Sequence, residues 1–148
     1  LRRAFAMVLL AVLSLPGFAS ELFPFVMPWD DASANLTNLS AWNEKPAGKH
    51  GFVRVEDGHL FAGSERLRLL GGNIVFGSVA PDHATADKLA ARMARFGINV
   101  VRFHHMDSRP APDGLLQKVM RTLDADMLER MDYFIASLKR EDIELLLS

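Results

Sequence analysis

Phe96-Gly97-Ile98-Asn99-Val100-Val101-Arg102-Phe103-His104-His105 is the stretch on which the reading of this chain turns. It holds a helix end, an apolar strand and an abrupt change to polar side chains. Upstream, Ala86, Leu89, Ala90, Met93 and Phe96 recur at helical spacing, Lys88, Arg92 and Arg95 fall elsewhere, and Gly97 stands where a helix is capped. Ile98 to Phe103 is rich in β-branched residues, as a strand buried in a parallel sheet is. Arg68 to Phe76 is another apolar run, loosened by Gly71 and Gly72, and reads as a strand buried on both faces. Downstream, Met106 to Thr122 is a long loop carrying Pro110, Pro112 and Gly114. A helix follows, capped by Asp124, with Leu128, Met131, Ile135 and Leu138 along one face. Ile143 to Leu147 reads as a further strand. Strands separated by helices pair in parallel, so the expected class is α/β.

Ahead of these units, Phe52, Val53 and Val55 lead into Asp57-Gly58, a strong hairpin turn signal, and Leu60 and Phe61 follow. A second turn at Gly63-Ser64 leads into Leu67, Leu69 and Leu70, so two short strands feed a third that runs on through Gly71. Residues 20–51 show neither strand nor helix period; they form an irregular lead-in that packs on the domain, with isolated aromatics at Phe23, Phe25, Trp29 and Trp42. Asn35-Leu36-Thr37 and Asn38-Leu39-Ser40 match the glycosylation acceptor pattern, which has meaning only in a eukaryotic secretory pathway.

Residues 1–19 have the parts of a secretory signal peptide. Arg2 and Arg3 precede an apolar run from Ala4 to Leu15, Pro16 and Gly17 break it, and Gly17 and Ala19 fit the small-residue rule for cleavage after Ala19. The run is short for a bilayer span. The expected location is therefore secreted or periplasmic, with no stable membrane association after cleavage; an uncleaved anchor is the alternative. A first residue of Leu and an end directly after Leu145-Leu146-Leu147 lead to the expectation of a piece of a longer protein.

Composition narrows the classes. Apolar residues at 49% and charged residues at 24% argue for a folded domain rather than a disordered or coiled-coil chain. A net charge of −1 with scattered basic residues leaves no footprint for nucleic acid, so no nucleic-acid partner is expected. Without cysteine, neither disulfides nor thiolate metal sites arise.

In parallel α/β sheets functional residues gather where strands end and the next loops begin. Two places qualify: Asn73 in Gly71-Gly72-Asn73, and Arg102-Phe103-His104-His105-Met106-Asp107. Strand alternation sets Arg102 and His104 on one face, Phe103 and His105 on the other. An Arg at such a position calls for a carboxylate or a polar substrate, or else simply holds a loop. His104 and His105 serve a polar pocket or are satisfied structurally. Facing opposite ways, the two histidines are poorly placed to share a metal ion, and no metal or cofactor is expected. Gly71-Gly72 lies within a strand rather than at a helix start, which argues against a nucleotide site. Trp29, Trp42 and Phe76 are candidates for stacking on sugar rings, or for core filling.

At these residues the chain resembles clan A glycoside hydrolases, especially the family 5 cellulase-like proteins of bacteria. Arg68-Leu69-Leu70-Gly71-Gly72-Asn73 is similar to that family's first barrel strand with its Gly-x-Asn. Phe96 to His105 is similar to the run from its first helix into its second strand, and is the more specific of the two. The hairpin from Phe52 to Phe61 resembles the strands that close the bottom of such barrels. The resemblance covers residues 52–148 and implies the start of a (β/α)8 TIM barrel, about three β/α units preceded by a small β-hairpin and truncated. A complete barrel needs about 250 residues, against 148 here. It further implies a secreted glycoside hydrolase acting on a carbohydrate substrate, retaining, with two glutamates about 5 Å apart at the ends of the fourth and seventh strands. Those glutamates are expected beyond Ser148. Arg102 would orient the nucleophilic carboxylate, and His104 and His105 would line the floor or edge of a subsite. Asn73 receives no exact role, and Gly72 departs from the bulkier residue often found there. Glu141 and Glu144 are not substitutes, because they fall at the opposite end of the strands. The alternative is a non-catalytic, carbohydrate-binding barrel homologue; oligomeric state stays open. Export predicts a mature chain beginning at Ser20, read by N-terminal sequencing of secreted protein; a start at an earlier residue counts against cleavage.

Overall fold

Val100–His104 forms the middle strand, β5, of a three-stranded parallel sheet. The computed structural model describes residues 24, 26–31, 33–119 and 122–148; the signal reading of residues 1–19, and Phe23 and Phe25, lie outside the described residues. β5 is flanked by β4 (Gly71–Val75) and β6 (Glu144–Leu147), with Asn73 opposite Arg102 and Arg102 opposite Leu146. The strands are neighbours in chain order, so both crossovers step the same way across the sheet.

Helices α1 (His83–Arg95) and α2 (Ala125–Arg140) make those crossovers. The alternation of β5 decides which face they cover. Val101 and Phe103 are 1% and 0% exposed, packed in one cluster with Ala86, Ala90 and Ala94 of α1 and Met131, Phe134 and Leu138 of α2. The alanine stripe lets α1 come close, and the Phe103 and Phe134 rings stack at 5.7 Å. Burying a side chain the size of Phe103 contributes about 1.5–3 kcal/mol. Asp124 caps α2 as its position implies, accepting from the backbone N–H groups of Asp126 and Met127. Asp82 does the same for α1 through Thr85. Gly97 takes the left-handed conformation, φ 73°, that ends α1.

The leading strands form their own antiparallel sheet: β1 (Arg54–Glu56), β2 (His59–Ala62) and β3 (Glu65–Leu67). Asp57 and Gly58 both have positive φ, as the expected hairpin turn demands. The expected continuation of the third strand through Gly71 does not occur. The chain leaves β3 after Leu67 and enters the other sheet at Gly71, because the Asn99 side chain satisfies the backbone between them. Its amide donates to the Arg68 carbonyl, and its oxygen accepts from the Leu70 N–H, each at 2.8 Å. β4 also departs from the expected two-sided burial: Gly71, Gly72 and Asn73 are exposed, since β4 is an edge and the face away from the helices is uncovered.

The lead-in does pack on the domain. Arg95, read from periodicity as lying off the apolar face, is 2% exposed beneath it. Its guanidinium holds the Asp31 carboxylate at 2.8 Å and bonds the Asp31 carbonyl, Asn35 and Thr37. The described residues thus make an α/β fold of two three-stranded sheets and two helices. They do not make a closed barrel, since closure takes eight strands and three leave a free edge on each side.

Two adjacent glycines give a test. A Cβ on Gly71 would fall 2.1 Å from the Val100 carbonyl oxygen, whereas one on Gly72 meets nothing within 4 Å. Gly71→Ala is expected to lower unfolding stability by about 1–3 kcal/mol through overpacking. Gly72→Ala should be neutral, or stabilising by up to about 1 kcal/mol. Urea denaturation of the two variants checks the β4–β5 register.

Candidate functional site

The polar end of β5 and its neighbours form the candidate site. In parallel pairing, opposed residues share a face, so Asn73, Arg102 and Leu146 lie together, with Val75 and His104 one step on. This is the face the helices leave open. The sequence placed Arg102 and His104 on one face, and the β4–β5 register adds Asn73 to it. Asn73 makes no side-chain hydrogen bond to Arg102 among the described residues. Ser148, just past β6, extends the ladder by donating its N–H to the Phe103 carbonyl. Its hydroxyl then sits between two of the candidates, 2.8 Å from Arg102 Nε and 3.0 Å from His104 Nδ1. No sequence pattern marks this serine.

The expectation that His104 and His105 face opposite ways is overturned. His105 adopts φ 55°, leaves the strand, and brings its ring centroid to 3.6 Å from that of His104. Alternation holds only while the chain stays extended. At the matching point after β4, Phe76 also has positive φ, 54°. The Phe76 and His105 rings stack at 5.7 Å, and the Arg109 guanidinium lies 4.1 Å from the Phe76 ring. Left-handed conformations at such residues cost on the order of 1–3 kcal/mol each and tend to cluster at functional rims. Of the aromatic candidates, only Phe76 reaches the site. Trp29 lies by Lys88 of α1, and Trp42 lines a hollow at the other end of the sheet.

Among the described residues no carboxylate lies within ion-pair distance of Arg102; a serine hydroxyl takes that position. None of the described His, Asp or Glu side chains gather in threes suited to a metal ion. What remains is a donor-rich surface: guanidinium, two imidazoles, an amide and a hydroxyl. It suits ligands with many hydroxyl oxygens better than apolar ones.

The opposite end of the sheet is built differently. A cavity of about 230 Å³ there is lined by Trp42, Glu44, His50, Arg66, Asp142 and Glu144, among others. Glu141 caps α2 and pairs with Lys45, while Glu144 begins β6 and accepts from the Gly48 N–H. Both glutamates thus lie away from the Arg102 surface, as expected from sequence. Burial pushes the Asp142 carboxyl above its ordinary range, and the charges of Glu144 and Glu44 push the same way against a hydrogen bond from the Glu44 backbone.

No family model matches the chain, and neither a curated protein nor a solved structure matches it.

The Asp142 shift makes a stability prediction with a definite sign. A carboxyl whose folded pKa is raised favours folding most when protonated, below its ordinary 3.8, and loses that contribution as pH rises through the folded value. Asp142→Asn, which also tolerates the local φ of 58°, should therefore raise the melting temperature at neutral pH. The gain should shrink as pH falls toward 4. A gain that is constant with pH would assign the effect to something other than this carboxyl.

Proposed function

We propose that this chain forms the first three β/α units of a (β/α)8-barrel glycoside hydrolase, with its open sheet face lining the carbohydrate site. The observation that carries the reading is the arrangement of β4, β5 and β6. They are parallel and sequential, both helices lie on one face, and the polar residues Asn73, Arg102 and His104 gather on the other. A doubly wound sheet reverses its strand order and covers both faces; a barrel does neither. The exposed Leu146 and Leu147 of β6 fit a strand that awaits a neighbour.

In this reading Arg102 orients the nucleophilic carboxylate and neutralises part of its charge. His104, His105 and Asn73 contact sugar hydroxyls. The acid/base and nucleophile glutamates come from later strands, about 5 Å apart for a retaining reaction. Secretion by the segment 1–19 belongs to the same proposal. A second reading, a barrel homologue that binds carbohydrate without cutting it, is favoured by one observation: Arg102 is partnered by Ser148 rather than by a carboxylate.

The protein expressed from its complete open reading frame separates the two. The enzyme reading expects release of reducing sugar from neutral polysaccharides, and a fall in kcat/KM of about 100-fold or more for Arg102→Ala with an unchanged circular dichroism spectrum. Saturable binding of cello-oligosaccharides with no hydrolysis would replace the enzyme by the binder. Neither binding nor hydrolysis across a panel of polysaccharides would remove both.

A further inference from the structure

Among the described residues Ser148 is the hydroxyl shared by Arg102 and His104, and the protons around it can be counted. Arg102 Nε carries an N–H and no lone pair to offer, so at 2.8 Å the Ser148 oxygen must accept from it. The serine's own proton then needs an acceptor. His104 Nδ1, at 3.0 Å, is the acceptor that the described residues supply. A neutral imidazole that accepts at Nδ1 carries its hydrogen on Nε2. The opposite arrangement, with Nδ1–H pointing at Ser148, would give the oxygen two donors and leave the serine proton with no partner among the described residues.

We infer that Arg102, Ser148 and His104 form one directed chain of hydrogen bonds that holds His104 in its Nε2–H tautomer. Ser148 is a positioning residue in this scheme. It is not a nucleophile paired with a base, because the guanidinium draws on the same oxygen that would have to attack. Among the described residues His104 Nε2 has no hydrogen-bond partner, so the chain ends in a free N–H donor on the open face. The use of that donor, toward a hydroxyl oxygen of the ligand, rests on the carbohydrate reading; the tautomer itself does not. The Arg102 charge at the head of the chain polarises the serine O–H, which strengthens the donation to Nδ1. The same groups also make Arg102 and His104 dependent on one another, though their backbones belong to alternate positions of β5.

The test is the nitrogen-shift pattern of the imidazoles in the whole chain, labelled with ¹⁵N-imidazole histidine. It is recorded at about pH 8, above the ~6.5 of a free imidazole. His104→Asn assigns the signal by its disappearance. The native chain is expected to show His104 with its proton on Nε2 alone. Ser148→Ala should turn that pattern into a mixture of both tautomers, and Ser148→Thr, which restores the hydroxyl, should return it. An Nδ1–H tautomer in the native chain overturns the inference, as does a Ser148→Ala spectrum identical to the native one. If Ser148→Ala does not fold, the native spectrum decides by itself. Either tautomer result is independent of whether oligosaccharides bind, so failure of this inference and failure of the carbohydrate reading are read from different experiments.

Discussion

The two-sidedness of β5 governs the rest of the molecule. Phe103, fully buried against Phe134, holds the middle strand under the helices and thereby turns Arg102 and His104 to the other face. A slip of one residue would exchange those faces and bury a guanidinium in an apolar cluster without a counter-charge, at a cost of several kcal/mol. The hydrophobic core and the polar surface are therefore one constraint seen from two sides. Register with β4 and β6 spreads it outward, setting Asn73 and Ser148 beside Arg102 with no further device.

Much of this was legible in the sequence wherever local rules and tertiary packing agree. Asp57-Gly58, Gly97 and Asp124 each act within a few residues, and each does in the structure what its chemistry implies. Strand alternation likewise set Arg102 and His104 on the face opposite Phe103, which the burial of Phe103 leaves open. The failures share a cause: a distant part of the chain overrides a local pattern. Arg95 looks solvent-facing by helical period until the lead-in supplies acceptors from some sixty positions away in sequence. The strand expected to run unbroken through Gly71 is interrupted by Asn99, a side chain on the far side of α1.

The candidate site divides along the same line. Arg102 and His104 follow from period two alone, whereas Asn73 joins them only through the β4–β5 register. His105 does not, because one left-handed residue cancels the alternation on which its expected direction depended. Ser148 and Arg109 were invisible for a different reason. Their place at the rim depends on where β6 ends and where the loop after β5 folds back, and neither position carries a pattern in its neighbours. The cavity at the opposite end was foreseen only to the extent that Glu144 was assigned there. Its walls come from the lead-in, which has no period to read.

The buried guanidinium of Arg95 has a consequence for how the molecule opens. Asp31, Ser33, Asn35 and Thr37 all bond to the Arg95 guanidinium, and the Arg95 carbonyl accepts the Leu39 N–H. Much of the polar hold on these residues therefore passes through Arg95, with Lys88, Arg92 and Asn43 fastening the stretches on either side, while the parallel sheet is held by many apolar contacts spread over two helices. Fluctuations that release Arg95 loosen this part of the lead-in while β5 stays shut. In hydrogen–deuterium exchange the Leu39 amide then reports that local opening, and amides of the central strand report only global unfolding. The fold accordingly has two layers of protection, an outer strap whose middle is gathered on one guanidinium and an inner sheet held by its apolar core.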